Sequence, residues 1–240
     1  MRISRLYVTQ PLQEASELTL DGSRAHYLGK VLRVTAGTPL CLFDDSGLEF
    51  AATVLAVDKH TVRVQLGAAQ NPGTESPLRT TLALGISRGE RMDYAIQKST
   101  ELGVSAIQPL YTLHCEVKLQ GERQDKRLDH WQQVAISACE QSGRVRVPPV
   151  LAPMTLDEFV RQSTAALKLL FDQGETLTLS GARPAGEVAL LIGPEGGLAP
   201  QELALARERG FVGIQLGRRI LRTETAPVAA LAVLQQLWGA

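Results

Sequence analysis

The hydrophobic period of the chain changes part way along. Residues 38–66 read as three short runs, TPLCLFD, LEFAATVLAV and TVRVQL, parted by Asp45-Ser46-Gly47 and Asp58-Lys59-His60. Short runs rich in β-branched and aromatic residues, so closely spaced, predict a β-meander. With the opening RISRLYV they predict a small β-barrel. Between them, Asp21-Gly22-Ser23-Arg24 can start a short helix through Ala25, His26, Tyr27, Leu28, Val31 and Leu32, with Arg24, Lys30 and Arg33 on its other face. The stretch AAQNPGTESPLR, residues 68–79, has turn residues and no apolar period, which marks a linker. Beyond it, strands (TTLALGIS, SAIQPLY, VPPVL, ALKLLF, EVALLIG, GIQLG) are interleaved with helices (ERMDYAIQKSTELG, RLDHWQQVAISACEQS, LDEFVRQS, PQELALARER and PVAALAVLQQLW). That order predicts an α/β domain with a mostly parallel sheet covered on both faces. The expected division is residues 1–72 and 78–240.

Composition narrows the class. The 240 residues are 44% hydrophobic, enough for proper cores. No run approaches the roughly 18 apolar residues of a membrane span, and MRISRLYVTQ lacks the apolar stretch of a secretory signal. A cytoplasmic protein with no membrane partner is expected. Cys41, Cys115 and Cys139 lie far apart without CxxC or clustered histidine, so neither disulfides nor a metal are expected. A formal net charge of +0 gives no general basic excess for nucleic acid. Local clusters must supply it: Arg123, Lys126 and Arg127; Arg144 and Arg146; Arg218, Arg219 and Arg222. Each also fits a solvated face with acid partners.

In parallel α/β sheets, ligands sit beyond the carboxyl ends of strands. Three endings stand out: Leu169-Leu170-Phe171 into Asp172-Gln173-Gly174, Leu191-Ile192 into Gly193-Pro194-Glu195-Gly196-Gly197, and Gln215-Leu216 into Gly217-Arg218-Arg219-Ile220-Leu221-Arg222. The second is semi-rigid with bare amides, suited to a flat hydrogen-bonding ligand such as an adenine or ribose. A tight strand-to-helix turn fits it as well. Pro200 and Glu202 suit the first turn of the helix that follows. GxGxxG after a strand and GxxxxGK[ST] are both missing, so a dinucleotide fold and a phosphate-gripping NTPase are unsupported. Glu195 would repel a polyphosphate and suits a cation such as a sulfonium. In ILRTETAPVAAL, Thr223 and Thr225 can cap a helix with Pro227 early in it, or Arg222 can hold a phosphate or developing negative charge.

Taken together, GPEGGLAPQE and LGRRILRTETA resemble the carboxyl-terminal signature of the SPOUT methyltransferases. Within that group they are most similar to the RsmE family, the 16S ribosomal RNA uridine-N3 methyltransferases. SRGERMDYAIQKSTELGVSAIQPL, CEVKL and ACEQSGRVRVP match upstream segments of that family, and RISRLYV with HYLGKVLRVTAG fits its PUA-like barrel. The resemblance spans nearly the whole chain. It departs at Arg218, where proline is frequent, and at His114, where arginine is common.

The resemblance implies a trefoil-knotted sheet behind an RNA-binding PUA-like barrel, a homodimer, S-adenosylmethionine as methyl donor, and 16S rRNA in the small subunit as substrate. The donor site would comprise Leu170, Phe171, Ile192, Gly193, Pro194, Glu195, Gly196, Gly197, Leu216, Gly217, Ile220, Leu221, Arg222, Thr223, Thr225 and Ala226. Arg222 is the candidate for stabilising charge on the uracil, with Arg219 its competitor. Glu195, Glu224 and Glu140 are the candidate general bases. Arg24, Lys30, Arg33, Arg144 and Arg146 are the RNA-binding candidates. A SPOUT enzyme acting on another RNA site and a noncatalytic RNA-binding or ribosome-assembly protein stay open as alternatives.

Overall fold

The computed structural model describes residues 3–171, 179 and 184–239. The chain forms two compact units, Met1–Glu75 with Cys139–Val147, and Ser76–Ala138 with Pro148–Ala240.

The first unit is built on a five-stranded sheet of β1 (Ser4–Tyr7), β2 (Glu17–Leu20), β3 (Pro39–Phe43), β4 (Glu49–Val57) and β5 (Val62–Gln70), ordered β1-β3-β4-β5-β2. The predicted meander is β3-β4-β5, paired antiparallel. In β4, Phe50, Ala52 and Val54 face inward while Ala51, Thr53 and Leu55 face water, the period of a half-buried strand. Two register shifts, between Phe50 and Ala52 and between Val54 and Ala56, bend this long strand. The inward residues meet Leu6, Leu28, Leu40, Leu42, Val62, Val64 and Leu66 in one core. Helix α1 (Gly22–His26) continues as a π-helical turn, Tyr27–Val31, that supplies Leu28 to this core. Residues 139–147 add Cys139 and Val145 against Phe43.

The second unit is a six-stranded, wholly parallel sheet: β6 (Thr80–Gly85), β7 (Ala106–Tyr111), β8 (Met154–Thr155), β9 (Leu167–Phe171), β10 (Val188–Ile192) and β11 (Val212–Ile214). Their order is β11-β9-β10-β6-β7-β8. Helices α2 (Glu90–Glu101), α3 (Glu122–Ser142), α4 (Leu156–Gln162), α5 (Pro200–Glu208) and α6 (Thr225–Trp238) connect or follow them. Strand β10 lies between β6 and β9 and every residue of it is buried, which explains the unbroken apolar run VALLI. On one face, Ala83, Leu170, Ala189 and Leu191 pack with Leu156, Phe159 and Val160 of α4 and Ala206 of α5. At about 1.5–3 kcal/mol for each large side chain removed from water, such layers dominate the stabilisation.

Several elements differ from the sequence expectation. ELTL, which became β2, carries no strand signal beyond four alternating residues. VPPVL makes only an isolated bridge from Val150 to Ile107, because Pro148 and Pro149 have no N–H to give a ladder. The neighbour of β7 is instead Met154–Thr155. The linker starts later than expected, since β5 runs to Gln70, and α3 starts earlier, at Glu122. Strand β11 stops at Ile214, short of the expected Gly217.

Candidate active site

The ends of β9 and β10, the start of α2 and the segment before α6 line one cleft in the second unit, and the end of β6 packs behind it. The Gly193–Gly197 loop leaves β10, turns through a bond from the Gly197 amide to the Pro194 carbonyl (2.9 Å), and enters α5 at Pro200. Gly197 sits at φ 69°, with open space where a Cβ would stand. Gly85 ends β6 so close to this loop that a Cβ there would lie 2.5 Å from Pro194. The loop is also held from outside. His114 Nδ1 donates to the Gly196 carbonyl (2.9 Å), and Glu202 accepts from the backbone of Ala199 (2.8 Å) and Leu113 (2.9 Å). His114, the departure from the family pattern, therefore serves as a loop anchor in this chain.

Among the described residues, the charged groups of the cleft are Arg91, Glu195, Arg222 and Glu224. Glu195 Oε1 accepts from the Arg88 amide (3.0 Å) and from Arg91 Nη1 (2.9 Å). Partial burial works to raise its pKa, but bonds from its own amide, from Arg88 and from Arg91 outweigh this and hold the carboxyl below the ordinary range. Thr223 Oγ1 donates to the Gly193 carbonyl (2.9 Å) and lies 3.4 Å from Ser87 Oγ. The threonine cap expected for α6 is not formed: its N-cap is Glu224, with no side-chain cap bond. Thr225 and Ala226 instead donate their amides to the Arg222 carbonyl, and Pro227, in the first turn, needs no acceptor.

The cleft has a volume of about 580 Å³, within the range of small-molecule sites. Of the residues expected at a donor site, it is lined by Phe171, Gly193, Pro194, Glu195, Gly197, Ile220, Leu221, Arg222, Thr223 and Ala226. Leu170 and Ile192 lie buried in their strands, Gly196 backs onto His114, and Leu216, Gly217 and Thr225 lie outside the lining. Arg219 is exposed and also outside it. Asp172, Gln173 and Gly174, the first expected loop, lie outside the described residues. The sequence reading missed Arg91, Leu198 and Leu203. Arg91 stands in the quoted SRGERMD, but nothing in one sequence ties it to Glu195.

In the first unit, Lys30, Arg33 and Arg146 are exposed. Arg146 Nη2 also donates to the Ser46 carbonyl (3.2 Å), and two other RNA candidates are engaged more fully. Arg24 pairs with Glu140 (2.7 Å), which also accepts the Tyr7 amide (3.0 Å). Arg144 is only 5% exposed and bonds Glu75 (2.8 Å), whose other oxygen takes the amides of Val145 and Arg146. The guanidinium of Arg144, expected to face RNA, is thus turned inward onto Glu75. Among the described residues no helix is long and apolar enough to cross a membrane, and no cluster of His, Cys, Asp and Glu fits a metal.

A parallel sheet with a glycine-lined cleft at its carboxyl ends, in a chain that also carries a small β unit, defines the class. Residues 74–235 match the RNA methyltransferase domain and residues 20–67 the RNA methyltransferase PUA domain. The chain is 35% identical over 240 residues to ribosomal RNA small subunit methyltransferase E of Buchnera aphidicola (subsp. Schizaphis graminum), covering 99% of this chain and 98% of that one. It is 31% identical to the Bacillus subtilis protein of the same name, covering 94% and 92%. The crystal structure of ribosomal RNA small subunit methyltransferase E from Neisseria gonorrhoeae bound to S-adenosyl methionine superposes with a TM-score of 0.93 at 40% identity, covering 99% of each chain. A Legionella pneumophila structure with bound cofactor SAM gives 0.94 at 40% identity, covering 98% of each. The chain belongs to the ribosomal RNA small subunit methyltransferase E family of RNA methyltransferases.

Proposed function

We propose that this chain transfers a methyl group from S-adenosylmethionine to N3 of a uridine in the 16S rRNA of the small ribosomal subunit. The observation that carries the reading is the cleft formed by the Gly193–Gly197 loop and residues 220–226, in a chain whose relatives are named ribosomal RNA small subunit methyltransferase E and include S-adenosylmethionine complexes. The residues present fit the donor. Gly197 leaves open space at the backbone, Phe171, Leu198, Leu203 and Ala226 supply apolar walls, and an ionised Glu195 complements a cation.

S-adenosylmethionine supplies an electrophilic methyl on a sulfonium. The chain's own residues bind, orient and carry charge. The glycine loop and the segment Ile220–Ala226 hold the donor. Leu170, Ile192, Gly196, Leu216, Gly217 and Thr225 shape these segments from behind. Arg222, through its guanidinium, stabilises the negative charge that grows on the uracil carbonyl oxygens as N3 loses its proton. Arg219 is a second cation for the same substrate. Glu195 acts as an ionised partner in the site, since its three donors make it a weak base.

Residues 1–72 are the RNA-binding PUA-like domain and 78–240 the methyltransferase domain. Lys30, Arg33 and Arg146 contact phosphate, while Arg24 and Glu140 form the supporting pair. The working form is a cytoplasmic homodimer with a trefoil knot in the second domain. The knot is supported by β10 lying between β6 and β9 and by Thr223 fastening the last segment to the Gly193 loop. The dimer is supported by α6: Val228, Ala229, Val233 and Leu237 are not fully buried, although a helix apolar on so many sides belongs in an interior. Calorimetric titration with S-adenosylmethionine tests the donor site. Saturable binding of one donor per chain is expected, and no heat with a folded protein would leave the cleft without its ligand.

A further inference from the structure

We propose that Glu224 is the general base that takes the N3 proton of the uridine. This rests on the proposed function and names a residue for its unassigned step. Three carboxylates compete for the role. Glu140 lies in the first unit, where one oxygen serves both Arg24 and the Tyr7 amide. Glu195 lines the cleft, but it is bonded to Arg88 and Arg91 and acts as an anchor for the glycine loop. Glu224 lines the same cleft, and its Oε2 is buried with no hydrogen-bond partner among the described residues. A buried carboxylate oxygen without a partner calls for an explanation, and beside a cleft a catalytic role is one. A uracil N3–H is such a donor.

The position is also fixed. Glu224 follows Thr223, whose hydroxyl is tied to the Gly193 carbonyl, and precedes the first turn of α6. Glu224 is therefore held at a constrained place in the cleft lining. Among the described residues, the charged groups facing the cleft with it are Arg91 from α2, Glu195 from the glycine loop and Arg222 from its own segment.

In the step, the Glu224 carboxylate takes the N3 proton and the electron pair stays on nitrogen. That pair forms the N–C bond to the donor methyl as the C–S bond breaks, with its electrons returning to sulfur as a neutral thioether. The proton then passes from Glu224 to water. Arg222 stabilises the anionic uracil between the two events.

The test uses the full-length protein, S-adenosylmethionine and small subunits lacking the modification. Glu224→Gln keeps the shape of the side chain and removes the base. We expect donor affinity by calorimetry to stay within about threefold and kcat to fall roughly a hundredfold or more. We also expect kcat of the variant to rise about tenfold per pH unit from about pH 7 to about pH 9, as the substrate ionises unaided, while wild type stays flat. A wild-type rate in the variant would overturn the assignment. So would a loss of donor affinity above tenfold whose rate defect vanishes at saturating donor, since Glu224 would then be a donor contact. A wild-type protein that binds no donor would instead overturn the function on which the assignment rests.

Discussion

Replacing Gly85 by alanine reaches the donor cleft from behind without touching a ligand. Its Cβ would stand 2.5 Å from both Pro194 Cδ and Pro194 N, and 3.0 Å from the Gly193 carbonyl carbon. Carbon atoms in contact prefer about 3.5–4.0 Å, so the loop must retreat by about 1 Å. Neither a proline ring nor a backbone atom can rotate out of the way, which places the cost in the overpacking range of about 1–3 kcal/mol. For a unit of this size that corresponds to a fall in Tm of roughly 2–12 °C. Gly193 and Pro194 both line the cleft, so if half or more of the strain appears as loop displacement, donor affinity falls by a factor between about 2 and about 150. Gly29→Ala is the control, because its Cβ would meet only Val57 at an ordinary 3.7 Å. Differential scanning calorimetry and S-adenosylmethionine titration on both variants give the two readouts. A Gly85→Ala protein with wild-type Tm and wild-type donor affinity would refute the placement of the loop against β6.

Other expected outcomes follow from individual residues. Arg222→Ala should leave the fold and donor affinity within a few fold of wild type while lowering kcat by roughly a hundredfold or more; single-turnover methyl transfer decides this, and activity within a few fold removes the role. Burial alone would raise the Glu49 pKa, but bonds from Arg5 and Gln70 lower it below the ordinary glutamate range. A lowered folded value contributes stability that is complete above the unfolded pKa, about 4.3, and is lost as pH falls through the folded value. Glu49→Gln should therefore flatten the acid limb of Tm against pH, and an unchanged limb would show that the pair contributes nothing there. Lys30→Glu with Arg33→Glu should weaken RNA binding and reduce the slope of log affinity against log salt by about one per lost phosphate contact; an unchanged slope counts against that surface.

The sequence made some features legible and hid others for identifiable reasons. The meander was visible because Phe50, Ala52 and Val54 alternate with exposed neighbours. The parallel sheet was visible because β10 is an unbroken apolar run. The position of β10 between β6 and β9 was not, since strand order is set by long-range pairing that local pattern does not encode. The glycine loop and Arg222 were readable as candidates, and both line the cleft. The partner of Glu195 is an arginine 104 positions away, so the sequence offered the carboxylate without its restraint. Arg144 shows the limit of reading charge clusters. Beside exposed Arg146 it looks like half of a basic patch, yet it is buried on Glu75. Thr223 misled in a similar way, because a hydroxyl at a helix start suits a cap, whereas here it fastens the last segment to Gly193.

The most direct test of the central claim is methyl transfer from labelled S-adenosylmethionine to small ribosomal subunits purified from cells lacking this gene, followed by mass spectrometry of nuclease fragments. A single N3-methyluridine near the 3′ end of the small-subunit RNA is predicted. Label on a ribose 2′-hydroxyl or another base, or no incorporation by a protein that binds the donor, would contradict it.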